Sequence, residues 1–294
     1  MELRTLRAFV EVVRQGGFSQ AAETIFATQS TVSKAVRRLE GELGVPLLNR
    51  IGHRSTLTAA GEVVYRQAVG MLAQRDSLIA ELDDLRGLKK GVLRIGLPLI
   101  GSNILFAPVF SVFRQRHPGI DIRLIEQGSD RLEDILRAGE IDLAGSLLPV
   151  SEEFEWQEVW HEPLVALIRS DHALAGQSTL TLVDLKDMPF ILFEAGFALN
   201  RIILDACRRH AFEPVIAAQS GQVDFLVELA ADGLGVAFLP RMIAERRRLP
   251  AVSHILLDEP KTDWNMAMLW RRGAYLSHAA SAWLAIVREI HATG

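Results

Sequence analysis

Residues 28–44 read TQSTVSKAVRRLEGELG, and this stretch decides how the rest of the chain is understood. Thr28 suits a helix N-cap and Gly44 a C-cap. Between them Val32, Val36, Leu39 and Leu43 recur every three or four positions, which predicts a helix with one apolar face. Gln29, Ser30, Thr31, Ser33, Lys34, Arg37 and Arg38 are left on the other side, with short hydrogen-bonding groups first and long cations after them. A helix lying in a DNA major groove needs that order, because base edges are nearest its first turn and phosphates flank the groove. Capping alone would also place Ser, Thr and Gln in the first turn of an ordinary solvated helix, so both readings stand on these residues.

N-terminal to this helix, Leu3, Leu6, Phe9, Val10 and Val13 form an apolar helical stripe closed by Gly16-Gly17. Ser19 is positioned to cap a second helix over about residues 20–25, and belongs with Thr28 among the candidate DNA-contacting residues. C-terminal to it, residues 46–58 form a short basic, hairpin-like stretch. There Arg50, His53 and Arg54 stand where a wing would grip phosphate or the minor groove. From Thr58 to about Arg86 the pattern predicts one long helix. Val64, Ala68, Met71, Leu78, Leu82 and Leu85 make an a/d seam, interrupted at Arg75. Such a helix either packs on its own domain or pairs two chains. Pairing is favoured, because a small head offers it no compact neighbour and a two-fold DNA site needs two heads.

The whole chain has 294 residues, a net charge of −4, 49% hydrophobic residues and one cysteine, Cys207. That is a soluble-globular profile, long enough for more than one domain. A single cysteine excludes an intramolecular disulfide framework, and with no N-terminal apolar signal segment it points to a reducing cytoplasm. Residues 1–58 carry +3, residues 59–90 are balanced and the remainder carries −7, so only the head suits a polyanion. The uncharged run Ile95–Phe113 contains Gly96, Pro98, Gly101 and Pro108, which punctuate it as strand, turn and helix rather than a membrane span. The histidines are scattered, without metal-ligand spacing, and no nucleophile elbow or phosphate loop is present, so neither catalysis nor a cofactor is indicated. Cys207 reads as a buried structural thiol in preference to a sensor.

From residue 91 strand and helix alternate with short connections, the pattern of an open α/β sheet, and a second such run follows the first. Taken with the head, this order resembles the LysR-type transcriptional regulators. The resemblance rests on Leu3-x-x-Leu6-x-x-Phe9, Gly17-Phe18-Ser19-x-Ala21-Ala22, Gln29-Ser30-x-Val32-Ser33, Leu39-Glu40-x-x-Leu43-Gly44 and Leu57-Thr58-x-Ala60-Gly61. In the body it rests on Asp171-His172-x-Leu174 and Gly233-x-Gly235-Val236-x-x-Leu239-Pro240. Asn49 departs from the aromatic usual in the family's wing. The resemblance implies an α+β multidomain protein: a winged helix-turn-helix over 1–58, a linker and dimerisation helix over 59–90, and a periplasmic-binding-protein-like effector domain over 91–294. Lobe I of that domain would span about 91–162 and 268–294, and lobe II about 163–267. It further implies double-stranded DNA as partner, a homodimer built into a homotetramer, RNA polymerase as a candidate partner, and no membrane.

Ligands of such sheets bind beyond the carboxyl ends of strands. Three strand ends supply candidates: Ile100, Gly101, Ser102 and Asn103; Gln127, Gly128 and Ser129; and Val223 with Asp224. Glu194 and Phe197 would face them, with Leu148 as apolar wall. The hydroxyls and helix starts favour a small anionic effector, although Ser102 and Ser129 as plain N-caps is the alternative. The competing class of function is a solute-binding or enzymatic α/β protein whose N-terminal helices serve assembly.

Overall fold

Leu6, Phe9, Val10 and Val12 of α1 (Leu3–Arg14) are buried, as the three- and four-residue spacing demands. They meet Ala21 and Ala22 of α2 (Phe18–Thr24), small enough to let the helices approach closely, and Val32, Val36 and Leu39 of α3 (Gln29–Leu43). Thr28 caps α3 and Gly44 closes it in the left-handed conformation at φ 71°. Leu43, expected on the inward face, is 39% exposed, because the helix runs out before its last turn meets a neighbour. Ser19 is likewise not a cap: Gly17 holds that position and Ser19 lies exposed in the first turn of α2.

The computed structural model describes residues 1–51, 54–85 and 90–292, with only the backbone of residues 50, 51, 54 and 85. After α3 the chain forms an antiparallel hairpin of β1 (Leu48–Ile51) and β2 (Arg54–Leu57). Glu40 anchors its entry by accepting the backbone N–H groups of Leu47, at 2.9 Å, and Leu48, at 3.3 Å. Thr58 then starts α4 (Ala59–Leu85): its hydroxyl accepts the N–H of Gly61 at 2.9 Å and donates to the Pro46 carbonyl at 2.8 Å. Gly61 is required there, since a Cβ would fall on the Leu47 carbonyl.

Two compact units result, Met1–Leu88 with Arg137–Glu140, and Lys89–Leu136 with Ile141–Gly294. In the second, β3 (Gly91–Pro98) is followed by α5 (Ser102–Leu105), α6 (Ala107–Arg116), β4 (Ile120–Gln127), α7 (Ser129–Arg137), β5 (Leu143–Leu147) and β6 (Phe154–Glu162). The uncharged run read as strand, turn and helix thus holds two helices, divided at Phe106 so that Pro108 falls in the first turn of α6, where its missing N–H costs nothing. Then come β7 (Leu164–Arg169), β8 (Thr179–Leu180), β9 (Phe190–Phe193), α8 (Ala198–Arg209), β10 (Ile216–Ser220), α9 (Val223–Ala231), β11 (Val236–Pro240), α10 (Arg241–Glu245), β12 (Val252–Leu257), β13 (Trp264–Arg271) and α11 (His278–His291).

These strands make two sheets, ordered β4-β3-β5-β13-β6 and β10-β9-β11-β7-β12-β8. Pairing is parallel where helices return the chain, as in β4-β3-β5 and β10-β9-β11, and antiparallel around β13 and β7. The chain passes from first sheet to second at Pro163 and returns over residues 258–263. The expected lobe boundary at 267/268 therefore needs correction, because it cuts β13, which pairs along its length with β6 in the first sheet. Trp283 of α11 is fully buried, packed edge-on to Phe110 with ring centroids 4.9 Å apart. No helix among the described residues is long and apolar enough to cross a membrane.

Candidate functional site

The first turn of α3 is organised by Thr28. Its oxygen accepts the N–H of Thr31 at 3.2 Å and lies 3.0 Å from the Ser30 hydroxyl and 2.8 Å from that of Thr31. The hydroxyls of residues 28, 30 and 31 thus form one connected group at the helix start. Gln29, Ser30, Thr31, Lys34 and Arg37 are exposed and Ser33 is half-buried. Among the described residues no carboxylate pairs with Lys34 or Arg37, and both ammonium and guanidinium stand free at the surface. Arg38 differs. It bonds Glu2 at 2.7 Å and Glu42 at 3.0 Å, so its expected phosphate contact competes with two carboxylates of its own unit.

In the hairpin, Arg50 lies opposite Ser55 and Arg54 opposite Ile51, which places the two arginine backbones near the tip. His53 lies outside the described residues. Along α4, Ala68 is buried in the core of the unit and Val64 packs against that core, so these two expected seam positions serve the head itself. Met71, Leu78 and Leu82 are exposed, Leu78 by 57%, while the side chain of Leu85 lies outside the described residues.

In the second unit the residues chosen by type are arranged differently from expectation. Ser102 is buried and its hydroxyl donates to the Pro98 carbonyl, turning back into its own sheet; Gly101 is the N-cap. Ser129 is also buried, inside α7, with the first helical bond running from the Leu132 N–H to the Gly128 carbonyl at 3.0 Å. Neither serine is a cap and neither presents an open hydroxyl. Ile100 is buried, while Asn103 and Gln127 are exposed. Glu194 accepts the Gly221 N–H at 2.9 Å within its own lobe. Phe197 is core, stacked on Phe193 with centroids 5.0 Å apart. Asp224 pairs with Arg247 at 2.5 Å, Val223 packs on the core, and Leu148 is half-buried.

The lobes meet through one close approach between backbones and through side-chain contacts around it. Gly128 packs on Gly196, where a Cβ would stand 2.8 Å from the Gly196 carbonyl carbon. Beside it the Asp130 N–H donates to the Gly196 carbonyl at 3.1 Å. Arg201 reaches across from α8, its Nη1 donating to the Pro149 carbonyl at 3.4 Å and its Nη2 3.9 Å from the Asp130 carboxylate. The Arg201 Nε is buried without a hydrogen-bond partner. Gly101, at φ 86°, lies close to the Trp264 ring, which a Cβ would meet at 2.5 Å, and that Cβ would also stand 3.4 Å from the Ile243 side chain. Cys207 is fully buried, and burial pushes its thiol up to about 11, which keeps it protonated and unreactive. Among the described residues no group of His, Cys, Asp and Glu is arranged to hold a metal.

Two family models match this arrangement: "Bacterial regulatory helix-turn-helix protein, lysR family" over residues 3–62 and "LysR substrate binding domain" over residues 86–292. The chain belongs to the LysR family. This LysR-family protein is 36% identical to the uncharacterised HTH-type transcriptional regulator YwbI of Bacillus subtilis, over 97% of this chain and 95% of that one. A full-length OxyR variant from Pseudomonas aeruginosa superposes with a TM-score of 0.74 at 25% identity, covering 98% and 95% of the two chains. Full-length CbnR in complex with its target DNA gives 0.64 at 23% identity, covering 98% and 99%. The LysR-family chain is a transcriptional regulator with a helix-turn-helix and an effector-binding domain, and not an enzyme.

Sequence reasoning missed Arg201, Gly196, Asp130 and Pro149 in this LysR-family protein. The signal was slight: an arginine in the first turn of the helix 198–209, apart from the Arg208-Arg209 pair at its end, and a glycine two residues before it starts.

Proposed function

We propose that this LysR-family regulator reads DNA with the exposed side of α3. Gln29, Ser30, Thr31, Ser33 and Lys34 would lie at or beside base edges, and Arg37, Arg50 and Arg54 on phosphates. The observation that carries the reading is the pairing pattern of the cations: Lys34 and Arg37 have no carboxylate partner among the described residues, whereas Arg38 has two. Two heads are held together by the part of α4 beyond the head's own core, through Met71, Leu78 and Leu82, and dimers pair into tetramers. The working division is head, α4 and a two-lobed effector domain, with the second lobe ending before Trp264. The protein acts in the cytoplasm, where promoter DNA is found.

A small anionic effector enters where the lobes meet. The support is Arg201, a cation with one buried unpartnered nitrogen, together with Asp130 and Gly196 that hold the lobes by a single backbone bond. An anion that takes over Arg201 would loosen its hold on Pro149, and a changed lobe arrangement would change the relation between bound heads. Footprinting of the full-length chain on its own upstream DNA tests the first part. Protection should be seen and should vanish in the Lys34→Ala, Arg37→Ala double variant. No protected fragment, or equal protection by the double variant, refutes it.

A further inference from the structure

A pocket of about 620 Å³ lies on the second lobe, between one face of β12 and α10 with the segment that follows it. Val165, Val252 and Leu256 contribute apolar surface to it. Residues 252, 254 and 256 alternate along β12, so His254 projects from the same face as the two apolar side chains. The pocket shares no residue with the lobe junction around Gly128, Gly196 and Arg201. Its volume is within the range of small-molecule sites.

Its polar groups are unevenly satisfied. The Nε2 of His254 is buried and has no hydrogen-bond partner, a condition that native interiors seldom tolerate without a ligand or water to answer it. Burial and then the Arg248 cation push the His254 pKa below its ordinary value, whereas Glu245 acts weakly in the opposite sense. The imidazole is therefore neutral, and either ring nitrogen can carry the proton. Arg241 is already held by Glu162 at 3.3 Å. Arg248 is exposed and, among the described residues, has no carboxylate partner. With Arg241 held by Glu162, Arg248 is the cation left to meet a ligand, and its charge beside His254 disfavours a second cation there. A bare inorganic anion would leave the apolar floor wet, and a neutral hydrocarbon would leave Nε2 unanswered.

We propose that this pocket is a second ligand site, separate from the lobe junction, that takes a small organic acid with an apolar body, its carboxylate held between Arg248 and His254. The apolar body lies on Val252 and Leu256. The site stands on lobe II alone and does not depend on what binds between the lobes.

Isothermal titration of the full-length chain with hexanoate tests it, with hexan-1-ol as the uncharged counterpart and inorganic phosphate as the anion without an apolar body. Hexanoate should bind with Kd near or below about 1 mM, and the two comparison compounds at least about tenfold more weakly. Arg248→Gln should weaken hexanoate by about tenfold or more, and so should His254→Leu, which removes the unpartnered nitrogen while keeping the volume filled. Arg248 is exposed, so that variant folds even if substitution on β12 does not. Unchanged hexanoate affinity in Arg248→Gln or in folded His254→Leu, phosphate or hexan-1-ol binding as tightly as hexanoate, or no binding by the unaltered chain each overturns the proposal.

Discussion

Replacing Gly128 by Ala adds one methyl group where the lobes touch. The new Cβ would stand 2.8 Å from the Gly196 carbonyl carbon, whereas ordinary contact starts near 3.4 Å, so the backbones must part by at least about 0.6 Å. The neighbour cannot yield as a flexible side chain would, because every nearby atom is backbone. Parting the lobes stretches the Asp130–Gly196 bond, 3.1 Å long as it stands, and loosens the reach of Arg201 to Pro149. A lost backbone bond is worth about 1 kcal/mol and the residual overlap about another, so the closed contact weakens by about 2 kcal/mol, roughly thirtyfold. Hydrogen–deuterium exchange reads this directly, since the Asp130 amide is the donor. Peptides covering residues 128–132 should exchange about thirtyfold faster in Gly128→Ala, as scaled from that energy. Gly176→Ala, where a Cβ meets nothing within 4 Å, should leave the same peptides unchanged. If Gly128→Ala exchanges at the unaltered rate, the lobes are not held by this contact and the reasoning is wrong.

Lys34→Gln or Arg37→Gln should each lower the slope of log affinity for DNA against log salt by about 0.9, and Arg38→Gln by clearly less because Glu2 and Glu42 already neutralise it; equal effects at all three in a filter-binding titration would contradict the pairing pattern. Leu78→Asp with Leu82→Asp should shift the chain to a lower oligomeric state in sedimentation velocity, whereas an unchanged sedimentation coefficient would place the dimer contact elsewhere. Cys207 titrates at about 11 when folded against 9.0 ordinarily, so the folded chain holds the thiol proton that the unfolded chain releases. Stability should therefore fall as pH rises from about 9 towards about 11, and less steeply in Cys207→Ala; parallel urea midpoints for the two chains across that interval would refute the assignment.

The head was legible because its signals are local. A cap at Thr28, a glycine at 44 and apolar spacing between them are contained within a few turns, and the helix formed as read. Leu43 was misplaced since spacing says which face a residue occupies, not whether a neighbour extends that far. β6 and β12 are among the strands least legible in the sequence. In β6, Glu155, Gln157 and Glu158 surround an exposed Trp156, and β12 is six residues between Pro250 and Asp258, so neither shows the clean alternation of a half-buried strand. The effector residues were chosen by chemical type at strand ends, which found the neighbourhood but not the orientations. Ser102 turns inward because the Pro98 carbonyl accepts its hydroxyl, Ser129 is buried in the first turn of α7, and Arg201 matters through Pro149, 52 residues away in the chain. Only tertiary packing brings those groups together.

The place of β13 in the first sheet has a consequence for synthesis on the ribosome. It sits between β5 and β6, yet the whole second lobe is translated before it. Until Trp264–Arg271 emerges, β6 has no partner and β5 keeps an open edge, so the first lobe begun is the last to be completed. The helix-turn-helix, encoded entirely ahead of both lobes, meets no such delay. A nascent chain thus carries a finished DNA reader well before it has a finished sensor, and its unpaired strand edges during that interval are where a chaperone would have to act.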